Sequence, residues 1–211
     1  MTLLIGSAGA DVEALRDGLD ASLEHLPALA PDPDWSWAAD LEAWRESTAA
    51  RPPVDRIVVA AWGSTAAEPR FDQLGSEQWL VDGEQRLAVW ATALAAAVRR
   101  CADDGCVVAV VDRAHTLDSA SHTVLQMVAD GVVNLVRSIA RIEGGRGVRI
   151  NAVTTAARIA LPKELLAPAP LLGYPGTIST HVVPVVHQLL AEGSTGLTGH
   201  VVDVDFGRIS P

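Results

Sequence analysis

Short, almost continuous apolar runs alternate along the chain with stretches whose apolar residues recur every three or four positions. Runs of the first kind predict strands buried on both faces, and those of the second predict helices that cover them. Together they predict a parallel sheet with helices on both sides. Thr2–Gly6 reads as the first strand. Asp11–Leu23 reads as a helix, with Val12, Leu15, Leu19 and Leu23 along one stripe. The Pro-rich segment Leu26–Asp34 breaks the pattern, and Trp35–Ala49 resumes it as a second helix. Pro52 and Pro53 end that helix before a buried strand at Ile57–Ala61.

Ser76 has the side chain of an N-cap, with Glu77 in the first turn, for helical structure running through Trp79 to about Ala102. Leu87, Trp90, Ala91, Leu94, Ala97 and Val98 define its apolar steps. Cys106–Val111 predicts the next buried strand. A long helix follows over Ser119–Glu143, with Val132, Leu135, Val136, Ile139 and Ala140 on its apolar face. Gly144–Gly147 stop it, and Val148–Val153 predicts another strand. Thr154–Thr180 has no regular period, His181–Ala191 predicts a short helix, and Val201–Asp205 a last strand.

A length of 211 residues with 49% hydrophobic content suits one domain, residues 1–211, with a sizeable core. The formal charge of −10 comes from 26 acidic against 16 basic residues, a balance that repels a phosphate backbone and argues against nucleic-acid binding. Met1–Ala10 is apolar but lacks a basic leader and is too short to span a bilayer, so it is expected to belong to the sheet. Cys101 and Cys106 have no neighbouring His or Cys at metal-ligand spacing and read as reduced thiols near a helix end. The bulk numbers predict an acidic cytoplasmic protein with no membrane or metal partner.

Three blocks carry a family likeness: Val54–Ser64 (VDRIVVAAWGS), Asp130–Val153, and Thr198–Gly207 (TGHVVDVDFG). In order and spacing they resemble the short-chain dehydrogenase/reductase family. The first is similar to its central strand and "Asn-Ala-Gly" loop. The second is similar to the end of its long core helix and the strand after it, and the third to its C-terminal "Thr-Gly-x-x-x-x-Val-Asp-Gly-Gly" turn. Trp79 and Leu87 look like that family's usual helix residues. The resemblance spans residues 54–207 and leaves 1–53 shortened and divergent. It implies an α/β, Rossmann-like, doubly wound parallel sheet in a single domain.

The same resemblance locates the family's chemistry, and here that chemistry is missing. A reductase of this family uses a Tyr as general acid/base, a Lys that lowers its pKa and grips the nicotinamide ribose, a Ser that orients the carbonyl, and an Asn that holds a relay water. Registered on Arg137-Ser138-Ile139-Ala140, the Tyr position falls at Leu125 and the Lys position at Ala129. The Ser position falls at Asp112 and the Asn position at Arg86. The single Lys and single Tyr of the chain are Lys163 and Tyr174, downstream of the helix and in the wrong order.

The cofactor turn is equally reduced. The family's "Thr-Gly-x-x-x-Gly-x-Gly" becomes Ile5-Gly6-Ser7-Ala8-Gly9-Ala10-Asp11-Val12, which keeps Gly6 and a displaced Gly9 but puts Ala10 and Val12 at the other two glycines. Side chains there would crowd a pyrophosphate, and Asp11 would repel it at the helix N-terminus. The connection from Gly6 to Ile57 is shorter than the family's, so a strand–helix unit, taken as the second strand, is expected to be deleted or shrunken. The "Pro-Gly" that usually follows "Asn-Ala-Val" is replaced by Thr155-Ala156. No NAD(P) cofactor is expected.

An acid, a His and a Ser recur in Asp112, Arg113, His115, Asp118, Ser119, Ser121 and His122, which would lie at the mouth of the site. They admit an alternative reading as a rebuilt enzyme site, NAD(P)-dependent or otherwise, although no Gly-x-Ser-x-Gly elbow or triad spacing supports it. His25, His181, His187 and His200 are scattered and form no metal set. Trp35, Trp37 and Trp44 fall in the shortened region, as core filling or as a partner contact. What the family uses for oligomerisation is best preserved: helices at about 84–103 and 119–143, the former rich in Ala, and the C-terminal strand. The expectation is a catalytically inactive structural or regulatory subunit that pairs through these elements with an active paralogue, or with itself. A third reading is a small-molecule-sensing protein of the same fold. The structural half of a polyketide ketoreductase fits least, because it lacks this C-terminal pattern.

Overall fold

The computed structural model describes residues 1–29, 35–66, 68–114, 122–159 and 176–204. Six parallel strands form one sheet in the order β2-β1-β3-β4-β5-β6. They are β1 (Thr2–Gly6), β2 (Ala21–His25), β3 (Val54–Ala60), β4 (Cys101–Asp112), β5 (Arg149–Thr155) and β6 (Val201–Val204). The helices are α1 (Ala10–Leu19), α2 (Trp37–Ala49), the single turn α3 (Ser76–Trp79), α4 (Arg86–Arg100), α5 (Thr123–Glu143) and α6 (Val183–Leu190). α1 and α6 lie together on one face, while α2, α4 and α5 are packed in sequence on the other. The doubly wound architecture predicted from the apolar runs is therefore present.

The central strands show why. Ile57–Ala60 of β3 and Val107–Val110 of β4 are fully buried, which requires cover on both faces and leaves no room for an alternating pattern. α5 lays Val124, Val128, Val132, Val136 and Ala140 on the sheet at helical spacing. By length and composition α5 and its following turn could cross a bilayer, and 44% of that stretch's apolar window is buried in this core.

One expectation is overturned. The second strand is not deleted: α1 stops at Leu19, Asp20 turns in the left-handed region (φ 48), and Ala21–His25 runs parallel to β1 as β2. Leu19 and Leu23 are four residues apart and so fit a helical stripe, yet Leu23 also alternates with Ser22 and Glu24 as a strand requires. Glu24 made the strand hard to recognise, because it is buried. Its carboxylate accepts from Arg100 Nη1 at 2.5 Å, from Arg51 Nη1 at 2.9 Å and from Thr48 Oγ1 at 2.6 Å. That cluster ties β2 to the end of α2 and to α4. β2 is the sheet's edge among the described residues, so the shortening lies outside it, and the chain passes from α2 directly to β3.

Other boundaries move by smaller amounts. Gly75, not Ser76, precedes α3, and a π-helical stretch at Leu80–Gln85 joins α3 to α4. β4 begins at Cys101 rather than Cys106, with its register to β3 shifted between Val54 and Arg56. Gly105 permits that irregularity, since a Cβ there would stand 2.6 Å from Cys101 Sγ and 2.8 Å from the Asp55 carbonyl. α2 starts at Trp37 and the last helical segment at Ile178, while β5 runs on to Thr155. Residues 119–121, 160–175 and 205, included in the sequence expectations, lie outside the described residues, as do Lys163 and Tyr174.

Candidate functional site

In a parallel sheet the loops after the strands open at one edge, and ligands collect in the crevice there. The loops after β1, β3, β4 and β5 meet at that edge in this chain. β1 ends at Gly6, where a Cβ would sit 2.7 Å from Val12 Cγ1, so the turn into α1 needs glycine. Gly9 is the second glycine of the turn, with φ 149, a value side chains rarely adopt. α1 begins at the next residue, Ala10, and carries Asp11 in its first turn.

The four positions singled out in the sequence come together. Arg86, Asp112, Leu125 and Ala129 line one void with Trp62, Trp90, Val111 and Val128. Its free volume is about 10 Å³, the threshold for a single water. Trp62 is 5% exposed and donates from Nε1 to the Val110 carbonyl at 2.7 Å, which fixes the indole against the end of β4. Arg86 donates to the Ser64 carbonyl at 2.9 Å and pairs with Asp82 at 3.3 Å. Burial pulls its pKa down, against the pull of Asp82, Asp112 and Glu68. Its guanidinium lies so close to Gly63 that a Cβ there would be 2.8 Å from Nη2.

Asp112 closes β4 and is buried. Burial pushes its carboxyl up to about 7, although Arg158 and Arg86 pull it down. Oδ2 accepts from Arg158 Nη1, while Oδ1 has no partner among the described residues. Arg158, in the turn after β5, was not anticipated from the sequence. It also donates from Nε to Asp11 Oδ2 at 3.0 Å and from Nη2 to the Gly63 carbonyl at 3.4 Å, with its guanidinium 4.6 Å from the Trp62 ring centroid. The Arg158 carbonyl accepts from Thr65 Oγ1 at 2.9 Å, so the loops after β3 and β5 are joined twice.

Glu68 also escaped the sequence reading. Its two carboxylate oxygens accept from Val124 N and Leu125 N, each at 2.8 Å, and so cap the α5 N-terminus with an anion from a distant loop. Neither contact has a local sequence signature, because the partners are far apart along the chain.

Of the acid–His–Ser set, Asp112, Arg113 and His122 are described, and His115, Asp118, Ser119 and Ser121 lie outside the described residues. Arg113 pairs with Asp130 at 3.0 Å and Asp203 at 3.6 Å. His122 is fully buried at the start of α5, with no hydrogen-bond partner for either ring nitrogen among the described residues. Among the described residues no group of three His, Cys, Asp or Glu side chains could hold a metal ion. A larger cleft of about 320 Å³ adjoins the void on the β1–β2 side, walled by Ser7, Ala8, Leu26, Trp62, Asp82 and Arg86 among others. The tryptophans of the shortened region divide: Trp37 is buried, Trp44 is partly buried with Nε1 on the His25 carbonyl at 3.0 Å, and Trp35 is 45% exposed and stacked on Trp37.

No family model and no curated protein matches the chain. Solved structures do. A short-chain dehydrogenase/reductase of the glucose/ribitol dehydrogenase type from Brucella melitensis is similar at a TM-score of 0.70 and 18% identity, over 100% of this chain and 97% of that one. A short-chain dehydrogenase/reductase from Serratia marcescens gives a TM-score of 0.64 at 17% identity, over 98% and 96% of the two chains. A blue fluorescent protein from a metagenomic library, solved in complex with NADPH, gives 0.66 at 19%, over 99% and 98%. The chain thus has the fold of the short-chain dehydrogenases/reductases along its whole length.

Proposed function

We propose that this chain is a catalytically silent protein of the short-chain reductase fold, a structural or regulatory subunit that assembles with an active reductase paralogue. The observation that supports the reading is the void shared by Arg86, Asp112, Leu125 and Ala129: where the resemblance implies an Asn, a Ser, a Tyr and a Lys around a substrate, about 10 Å³ remain. Leu125 and Ala129 have no proton to exchange, and Asp112 is bound to Arg158. The crevice also fits a dinucleotide poorly. Asp11 puts a carboxylate at the α1 N-terminus, and Arg158 lies across the strand ends from Asp11 to Asp112. The outer surface of α4 and α5 supports the partner half of the reading. Leu87 (40% exposed), Met127 (51%), the exposed Ala91 and the half-buried Gly131 make a low, apolar two-helix face.

Mild affinity capture of the chain from its own cells, read by native mass spectrometry, tests this. A stoichiometric partner that carries the Tyr and Lys is expected, and recovery of a homo-oligomer alone overturns the subunit reading. The cleft of about 320 Å³ favours one second reading, a small-molecule sensor, because it falls within the size range of ligand pockets. A metabolite mass retained with a homo-oligomer would move the conclusion there.

A further inference from the structure

The crevice at the strand ends is crossed by a side chain that the resemblance does not require. One side chain, Arg158, in the turn after β5, touches the loops or termini of three other elements: Asp11 in α1, Trp62 and Gly63 after β3, and Asp112 at the end of β4. It is the only basic group in contact with Asp112 among the described residues, and only 14% of its side chain is exposed. Its plane covers the Trp62 indole, whose own N–H is held by β4.

We propose that Arg158 is an internal latch, a guanidinium that bridges the strand ends across α1, β3, β4 and β5 beside the open cleft and so blocks the path a bound dinucleotide would take across them. The inference rests on the reading that the crevice takes no cofactor, and extends it to the residue responsible. Its physical basis is the pairing of charges. Asp11 and Asp112 would repel each other and any phosphate, and burial of Asp112 without a cation would be costly; one guanidinium bridges both, offsets their repulsion and is planar enough to lie on the indole. A Lys at the same place has one point charge and cannot hold two carboxylates, a carbonyl and a ring at once.

The test uses the full chain as purified, with NADPH as the probe. Wild type is expected to show no rise in Tm with about 1 mM NADPH, as for a ligand with no site. Arg158→Met is expected to lower Tm by about 2–6 °C and Arg158→Lys by less. The decisive readout is coupling. Asp112→Asn should be more favourable, or less harmful, to Tm in the Arg158→Met background than in wild type, because only there does it remove an unpaired buried carboxylate. If Arg158→Met does not fold, the same comparison is made with Arg158→Lys and with the half-exposed Asp11→Asn.

Additive effects at Asp112 and Arg158, or a rise of several degrees in wild-type Tm with NADPH, would overturn the latch. The two readings fail separately. A chain that is captured with an active paralogue and is protected by NADPH loses the latch and keeps the partner. A chain that purifies alone, unprotected and coupled, keeps the latch and loses the partner.

Discussion

Two buried carboxylates sit at different ends of this sheet, and their surroundings differ. Glu24, on the edge strand β2, is 8% exposed and surrounded by donors: Arg100, Arg51 and Thr48. Asp112, at the C-terminal end of β4, is 5% exposed. It has Arg158 on one oxygen and nothing on the other among the described residues. The first is a finished joint between a strand and two helices. The second is a group whose burial is only partly compensated, in a crevice where the fold would otherwise place ligand and solvent. A charge is tolerated inside a protein in proportion to how completely its hydrogen-bonding capacity is met, and the two sites are at opposite ends of that scale.

The largest effect that would break this comparison is expected at Glu24. Glu24→Ala leaves Arg100 buried without its carboxylate and should cost about 3–5 kcal/mol in urea unfolding. A loss below about 1 kcal/mol would mean that the cluster is solvated in solution and that the two carboxylates are alike. Thr48→Val keeps the shape and removes one hydrogen bond to a charged group, so a smaller loss of about 1.5–3 kcal/mol is expected.

At the other site, Ala129→Leu probes how full the neighbouring void is. With about 10 Å³ free, the larger side chain should overpack and destabilise by about 1–3 kcal/mol. A stabilised variant would show that the crevice is looser than its walls suggest. Asp112→Asn has its signature in the pH dependence. The folded carboxyl sits near 7 against an ordinary 3.8, so the folded state keeps a proton that the unfolded chain releases. That contribution to stability is fully present below about pH 3.8 and is lost as pH rises through about 7. Arg158, Arg86 and Asp11 are the charged groups that act on it, and none of them is changed in the variant. Subtracting the Asp112→Asn stability profile from that of wild type should therefore give a curve that falls between those limits, and a flat difference would contradict it. The thiols provide a separate check. Burial pushes Cys101 up to about 12 and raises Cys106 as well, so a thiol reagent should label the folded chain slowly at neutral pH.

Much of the fold could be read from residue order alone. The runs Val107–Val110 and Ile150–Val153 are strands because nothing but a two-sided burial suits them, and α5 declares itself by Val132, Val136 and Ala140. β2 was not legible, because Leu19 and Leu23 satisfy a helical period while the strand's inward position is held by a glutamate. The four positions Arg86, Asp112, Leu125 and Ala129 were nameable, and they do share one void. The groups that close the site were not: Arg158 and Asp11 stand 147 residues apart, and Glu68 reaches Leu125 across 57.

Residue types and their spacing thus determined the sheet and the covering helices, because burial and helical period are local properties of a chain. Tertiary structure alone decided that β2 survives as an edge held by Glu24, that the void is nearly filled, and that one arginine spans the strand ends. Those are outcomes of long-range charge pairing and packing, which depend on where distant segments meet and so leave no pattern in the order of residues.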